Sequence, residues 1–179
     1  MRMSLAASLE MAFPGSITVG RERILQVEKV LAERGILPAL GFLNSRVRHR
    51  FTMVSRFDSP MVRELFVFDR RNPKILFGGT SHVLAETYAS LVHRRKQAFH
   101  TDNSLQDGRL LFHAARVTVL SYIGVPIRLE SGELWGVLSN SDREALVSPV
   151  GESELLLEVI PALASWLRPH RGVFVDAPL

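Results

Sequence analysis

Residues 121–142, SYIGVPIRLESGELWGVLSNSD, constrain this chain more than any other stretch. Two apolar segments flank Ser131-Gly132, and apolar runs of this length on either side of a glycine turn read as paired antiparallel strands. A β-hairpin of this kind belongs inside a compact domain. Its ends are less ordinary. Gly124 lets one strand approach its neighbour closely, and Pro126, which lacks an amide hydrogen, marks a bulge or an unpaired stretch. The polar exit Ser139-Asn140-Ser141-Asp142 is more than a plain hairpin needs.

The residues before the hairpin change period several times. RERILQVEKVLAER (21–34) places Ile24, Val27 and Leu31 on one helical stripe, and Gly35 is a natural left-handed stop. A second helix is expected near Pro38, carrying Leu40, Leu43 and Val47 inward. RFTMVSRFD (50–58) and VRELFVFDRR (62–71) then alternate as strands around Asp58-Ser59-Pro60, and Asn72-Pro73 ends the second. SHVLAETYASLV (81–92) returns to helical spacing, with Ser81 as N-cap and Val83, Tyr88 and Val92 inward. QAFHTD reads as a short strand, and 103–116 as a loop with one helical turn. ESELLLEVIPALASWLR (152–168) closes the chain as an amphipathic helix, with Pro161 expected to kink it. The order predicts an α+β fold, a central antiparallel sheet with helices packed on one face.

At 179 residues the chain is long enough for one full core and short for two. No run reaches the roughly 18 to 20 apolar residues of a membrane span, so no membrane partner is expected. The opening MRMSLAASLEMAF has a trace of signal-peptide character, but Glu10 interrupts it and no clean cleavage site follows. A cytoplasmic protein with a flexible segment over 1–20 is expected. The net charge of +4 is modest, and clusters such as RVRHR (46–50) and HRRKQ (93–97) have no interleaved aromatic platform, so nucleic acid is not an expected partner. The chain has no cysteine, which fits a reducing compartment and removes disulfides, thiol catalysis and thiolate-held metals.

Four segments in this order, FLNSRVRHRFTMVSRFD (42–58), ETYASLV (86–92), FHTDNSLQDGRL (99–110) and VLSYIGVPIRLESGELWGVLSNSD (119–142), resemble the GAF domain, a small-molecule sensor family. The resemblance covers roughly Arg21 to Arg168, with the GAF domain expected over 21–170 and a tail over 171–179. It implies a sheet of five or six strands, the terminal helices on one face and a ligand pocket on the other. The segments between the second and last strands would cover that pocket. It also implies that the terminal helices pair between subunits, making a homodimer the expected state.

Some members of that family are free methionine-sulfoxide reductases and others hold a bilin through a thioether; both need a thiol. The resemblance puts cysteine where this chain has Ala89, Ile123 and Ser139, so the thiol function is expected to be lost. The Asn-Lys-Phe-Asp-Glu signature of cyclic-nucleotide-binding members is absent, and SNSDRE (139–144) shares only an Asn and an Asp with it. His93, His100, Asp102, Asp107 and His113 are potential metal ligands but lack a tight spacing, so a structural role is the better reading. Ser81-His82 and Ser104-Asp107-His113 come with no nucleophile elbow or oxyanion loop. No metal, cofactor or catalytic residue is expected.

What remains is a non-catalytic sensory or regulatory domain that binds an unidentified small molecule and signals through a dimer or a separate signalling protein. Tyr88, Phe99, Asp102, Arg109, Tyr122, Ser139 and Asp142 are the groups expected to converge on the ligand. Each has a structural alternative: Tyr88 and Phe99 as core, Asp102 as a turn cap, Arg109 as a partner of Asp107, Asp142 as a strand terminator. A scaffold with a filled pocket, a cyclic-nucleotide binder and a metal-dependent enzyme built on 93–113 are the competing readings.

Overall fold

The computed structural model describes residues 14–168. Helix α1 (Pro14–Arg34) begins seven residues before the amphipathic pattern does, and the outer parts of the expected end segments, 1–13 and 169–179, lie outside the described residues. Gly35, at φ +79°, breaks α1 from α2 (Ile36–Asn44). Pro38 falls in the first turn of α2, where a missing amide hydrogen leaves no helical bond unmade. Then follow β1 (Phe51–Asp58) and β2 (Met61–Asp69). The short strands β3 (Leu76–Phe77) and β4 (Ser81–Val83) come next, and then α3 (Ala89–Arg95) and β5 (Phe99–Thr101). The chain ends with β6 (Ser121–Arg128), β7 (Leu134–Asp142) and α4 (Glu152–Leu167), with Pro161 inside the last helix.

The strands form one antiparallel sheet in the order β3-β2-β1-β7-β6-β5, with β4 also paired to β2. Seven strands exceed the five or six expected because the segment 75–83 does not behave as its spacing predicts. Ser81 pairs with Arg63 as a strand residue and caps no helix, and Val83 is exposed. The open edge of β2 offers 81–83 backbone partners that an isolated helical turn would lack, and this outweighs local spacing. Helix α3 starts only at Ala89. The expected turn in 103–116 is present twice, as 3₁₀ turns at Gly108–Leu110 and Ala114–Val117.

One sheet face carries Val54, Phe66, Phe68, Ile123, Val125, Ile127 and Leu138. Against it pack Val27 and Leu31 of α1, Leu40 and Leu43 of α2, and Leu156, Val159, Ile160 and Leu163 of α4. The opposite face carries Val62, Tyr122 and Val137, covered by Leu84, Tyr88, Ala89, Val92, Leu110 and Ala115. A bulge at Val54/Ser55 makes this two-sidedness possible. Before it β2 sends Val62 and Glu64 to the second face; after it Val67 points there, while Leu65 and Phe66 both join the helix side. Four consecutive apolar residues, Leu65 to Phe68, are thereby shared between two cores.

Strands β1 and β7 approach too closely at Gly136 for a side chain. A Cβ there would lie 2.2 Å from the Ser55 carbonyl oxygen, which is backbone and cannot swing aside. Gly136→Ala is expected to cost about 2–3 kcal/mol by forcing the strands apart, read as a lower urea midpoint with unchanged m. A change below roughly 1 kcal/mol would mean the pair is not held this tightly.

Candidate ligand-binding site

Because side chains alternate along a strand, the registers of β6, β7, β1 and β2 write out the floor of the second face. Tyr122, Ser141 and Phe51 form one row, Gly124, Ser139 and Met53 the next, and Pro126, Val137 and Ser55 a third. Val67 lies opposite Met53 and Glu64 opposite Ser55. Above this floor is a cavity of about 450 Å³, walled by Thr80, His82, Glu86, Thr87, Tyr88 and Ala89 on one side and by Ala115, Thr118 and Val119 on the other. Its size is that of a small-ligand pocket. The floor is mostly apolar, with Ser55, Ser139, Ser141 and Tyr122 as its hydroxyls and Glu64 as its carboxylate.

Tyr88 and Tyr122 pack edge to face, their ring centres 5.5 Å apart. The Tyr122 ring lies back along its own strand over Gly124, where a Cβ would come within 2.3 Å of the phenol oxygen. Glycine is therefore needed at 124 as room for a side chain rather than for a neighbouring strand. Burial pushes the Tyr122 phenol well above its ordinary range; the nearby Ser139 hydroxyl offsets part of this without a hydrogen bond of ordinary geometry. Burial also raises Tyr88. Both phenols stay protonated donors at neutral pH.

At the rim His82 Nε2 meets Glu64 Oε1 at 3.2 Å. Glu86 and Arg143 are exposed among the lining residues, and Asp142 lies beyond the Phe51 row, away from Glu64, which pairs with Ser55. Asp142 also has structural work: its carboxylate accepts from the amide of Arg50 at 2.7 Å and of Glu144 at 3.0 Å.

Of the seven residues singled out in the sequence, Tyr88, Tyr122, Ser139 and Asp142 line the cavity; Phe99, Asp102 and Arg109 do not. Phe99 is core, with the Arg109 guanidinium 4.9 Å from its ring centre. Arg109 forks onto Asp107, closest at 2.6 Å, and donates to the His100 carbonyl. It holds the Asp107 carboxyl down to about 2. Asp102 pairs with His100 at 2.6 Å and accepts the Ser148 amide at 2.9 Å, tying down the loop after β7. It does not cap the turn after it. Phe51, Met53, Val67 and Ser141 were missed, although stepping by two from Ser139 reaches Ser141.

Among the described residues no three His, Asp or Glu side chains gather as metal ligands. His113 instead caps its own 3₁₀ turn, Nδ1 accepting from the Ala115 amide at 3.2 Å.

No protein-family model and no curated sequence matches the chain. Solved structures do. The GAF domain of an Acinetobacter phosphoenolpyruvate-protein phosphotransferase superposes with a TM-score of 0.66 at 13% identity, covering 87% of this chain and 96% of that one. This chain has the GAF fold. The GAF fold also links it to a free methionine-R-sulfoxide reductase from Neisseria meningitidis, solved with its substrate (TM-score 0.64, 15% identity, 87% and 92% coverage). A phycocyanobilin-bound GAF domain from a cyanobacterial phytochrome matches at TM-score 0.62 and 12% identity, over 88% and 98% of the two chains. At such identities the likeness is one of fold.

Proposed function

We propose that this chain is a non-catalytic sensory or regulatory domain of the cytoplasm that binds a small molecule on the second face of its sheet. The observation that carries the reading is the cavity itself: about 450 Å³ remains open over the floor centred on Ser139. A scaffold that only mediates protein contacts would have filled that space with side chains. The structurally similar GAF domain of a cyanobacterial phytochrome was solved bound to phycocyanobilin; here no cysteine is present to attach a chromophore or run a thiol reductase.

A ligand that favours one arrangement of 80–89 and 115–119 shifts its population, and the sheet passes the change to the helices on its other side. Leu25 on α1 and Leu157 on α4 are exposed apolar residues there, which supports a homodimer or a separate signalling partner as the receiver.

The test is native mass spectrometry of protein purified from cells, alongside Ser139→Phe. The ring would project into the cavity beside Met53, the cross-strand neighbour of Ser139. The wild type is expected to carry a bound small molecule and the variant at least about tenfold less of it. Wild type and variant each appearing only at its own ligand-free mass would favour the scaffold reading.

A further inference from the structure

The outer surface of 103–117 is an anomaly in a folded domain. Leu105, Leu111, Phe112 and Val117 are 45, 55, 95 and 71% exposed within thirteen residues. They are not on a loose loop. Arg116 donates to the Leu105 carbonyl at 2.6 Å, Ser104 to the Arg116 carbonyl at 2.6 Å, and the His113 amide to the Leu110 carbonyl at 3.0 Å. The apolar side chains therefore stand on an ordered knob, and large apolar groups held out in water mark a contact surface.

The knob has basic flanks. Arg94, Arg95 and Lys96 are exposed at the end of α3. Ser90 Oγ of α3 lies 3.4 Å from His113 Nε2, which brings the helix that ends in this cluster against the residue next to Phe112. Between 90 and 117 there are five Lys or Arg against two Asp, so most of the chain's net charge of +4 sits here. A second copy presenting the same face would be repelled. An anionic occupant is called for.

We propose that this knob is a peripheral membrane contact, with Leu111 and Phe112 entering the headgroup region of an anionic bilayer and Arg94, Arg95 and Lys96 meeting its phosphates. A bilayer is favoured over an acidic protein because Phe112 projects almost free of neighbours, and a fluid phase accepts such a side chain without a matching pocket. Neither one short apolar insertion nor a basic cluster alone anchors a protein; together they supply the two signals a reversible attachment needs. The contact requires no membrane-crossing helix, of which there is none among the described residues, and it replaces the expectation of no membrane partner.

The full chain is sedimented with vesicles of phosphatidylcholine alone and of phosphatidylcholine with phosphatidylserine, roughly 3:1. Binding is expected only with phosphatidylserine, falling with salt, and about tenfold weaker both in Leu111→Ser/Phe112→Ser and in Arg94→Glu/Arg95→Glu. Phe112 supports no packing, so the first variant keeps the wild-type melting temperature and reports on contact alone. A wild type left in the supernatant overturns the proposal, as does a serine variant that binds like wild type, which would be charge adsorption only. Binding of a soluble Glu/Leu peptide through Phe112 with no vesicle binding would also overturn it, in favour of a protein partner.

Discussion

Asn44→Ala is expected to lower the unfolding free energy by about 4 kcal/mol, several times the effect of a surface substitution. Asn44 is buried at the end of α2 and joins three elements through one side chain. Its Nδ2 donates to the His49 carbonyl and to Thr52 Oγ1, both at 2.9 Å, and its Oδ1 accepts from Arg70 Nε at 2.9 Å. Thr52 in turn donates to Asn140 Oδ1 at 2.6 Å, carrying the connection from β1 to β7. Alanine would leave the His49 carbonyl and a Thr52 hydroxyl lone pair without partners where little water reaches, each worth about 1–3 kcal/mol, and would release the more exposed Arg70 side chain from the helix end. Urea denaturation of Asn44→Ala, Thr52→Val and the double variant measures it. The two changes should be non-additive by roughly 1–2 kcal/mol, because they sever one chain of bonds. A single-variant loss near 1 kcal/mol, with full additivity, would mean water replaces the lost partners.

Between pH 6.5 and 4 the protein is expected to lose about 3 kcal/mol of stability through His49 alone. His49 is fully buried, and neither ring nitrogen has a hydrogen-bond partner among the described residues. Burial lowers its pKa from 6.5 to about 4, against the attraction of Asp142 and Asp102 and together with the repulsion of His100 and Arg70. The unfolded chain takes up a proton near 6.5 and the folded chain not until about 4. Over that window the unfolded state binds more protons, so stability falls as pH falls and levels off below it. His113, also lowered by burial, adds in the same direction. Asp69, held down by Arg50, and Asp107, held down by Arg109, contribute stability that disappears only below their ordinary carboxylate range. Glu152, raised by burial, has the opposite sign: its contribution is present at low pH and lost as pH rises through its folded value. His49→Leu isolates the effect, since no bonded partner is stranded. Its urea midpoint should fall clearly less than that of the wild type from pH 6.5 to 4, the remainder coming from groups such as His113; parallel curves would sink the assignment.

The architecture was legible because its strongest signals are local. Val27 and Leu31 of α1, Leu155, Leu156, Val159, Ile160, Leu163 and Leu167 of α4, and Ile123, Val125, Ile127, Val137 and Leu138 of the hairpin are buried where expected, while Ile24 of the same α1 stripe is only partly covered. What failed locally was decided elsewhere in the chain. Residues 81–83 have helical spacing, yet they became a strand because β2 had an unpaired edge, and no window around Ser81 contains that fact. The site follows the same division. Ser139-Asn140-Ser141-Asp142 stood out as more polar than a hairpin requires, and the structure divides that polarity by pleat. Ser139 and Ser141 face the cavity, Asn140 faces the buried network, and Asp142 binds the amides of Arg50 and Glu144. Phe99, Asp102 and Arg109 lie near one another in sequence and looked like one site, but the short strand β5 and its turn direct them to core packing and loop anchoring.

The outer edge of β2 is divided between two short strands: β3 covers Val67 and Phe68, β4 covers Met61 to Arg63, and Glu64 between them bonds Gly79 and Thr80. Thr80 and His82, which occupy this edge, are also wall residues of the cavity. If the wall swung open on this side, it would strip the last strand from a sheet edge that could then pair with other chains. Ligand exchange past Thr118 and Val119 leaves β4 in place. Resistance to aggregation would thus favour a cavity that stays closed on the β4 side, whatever it holds.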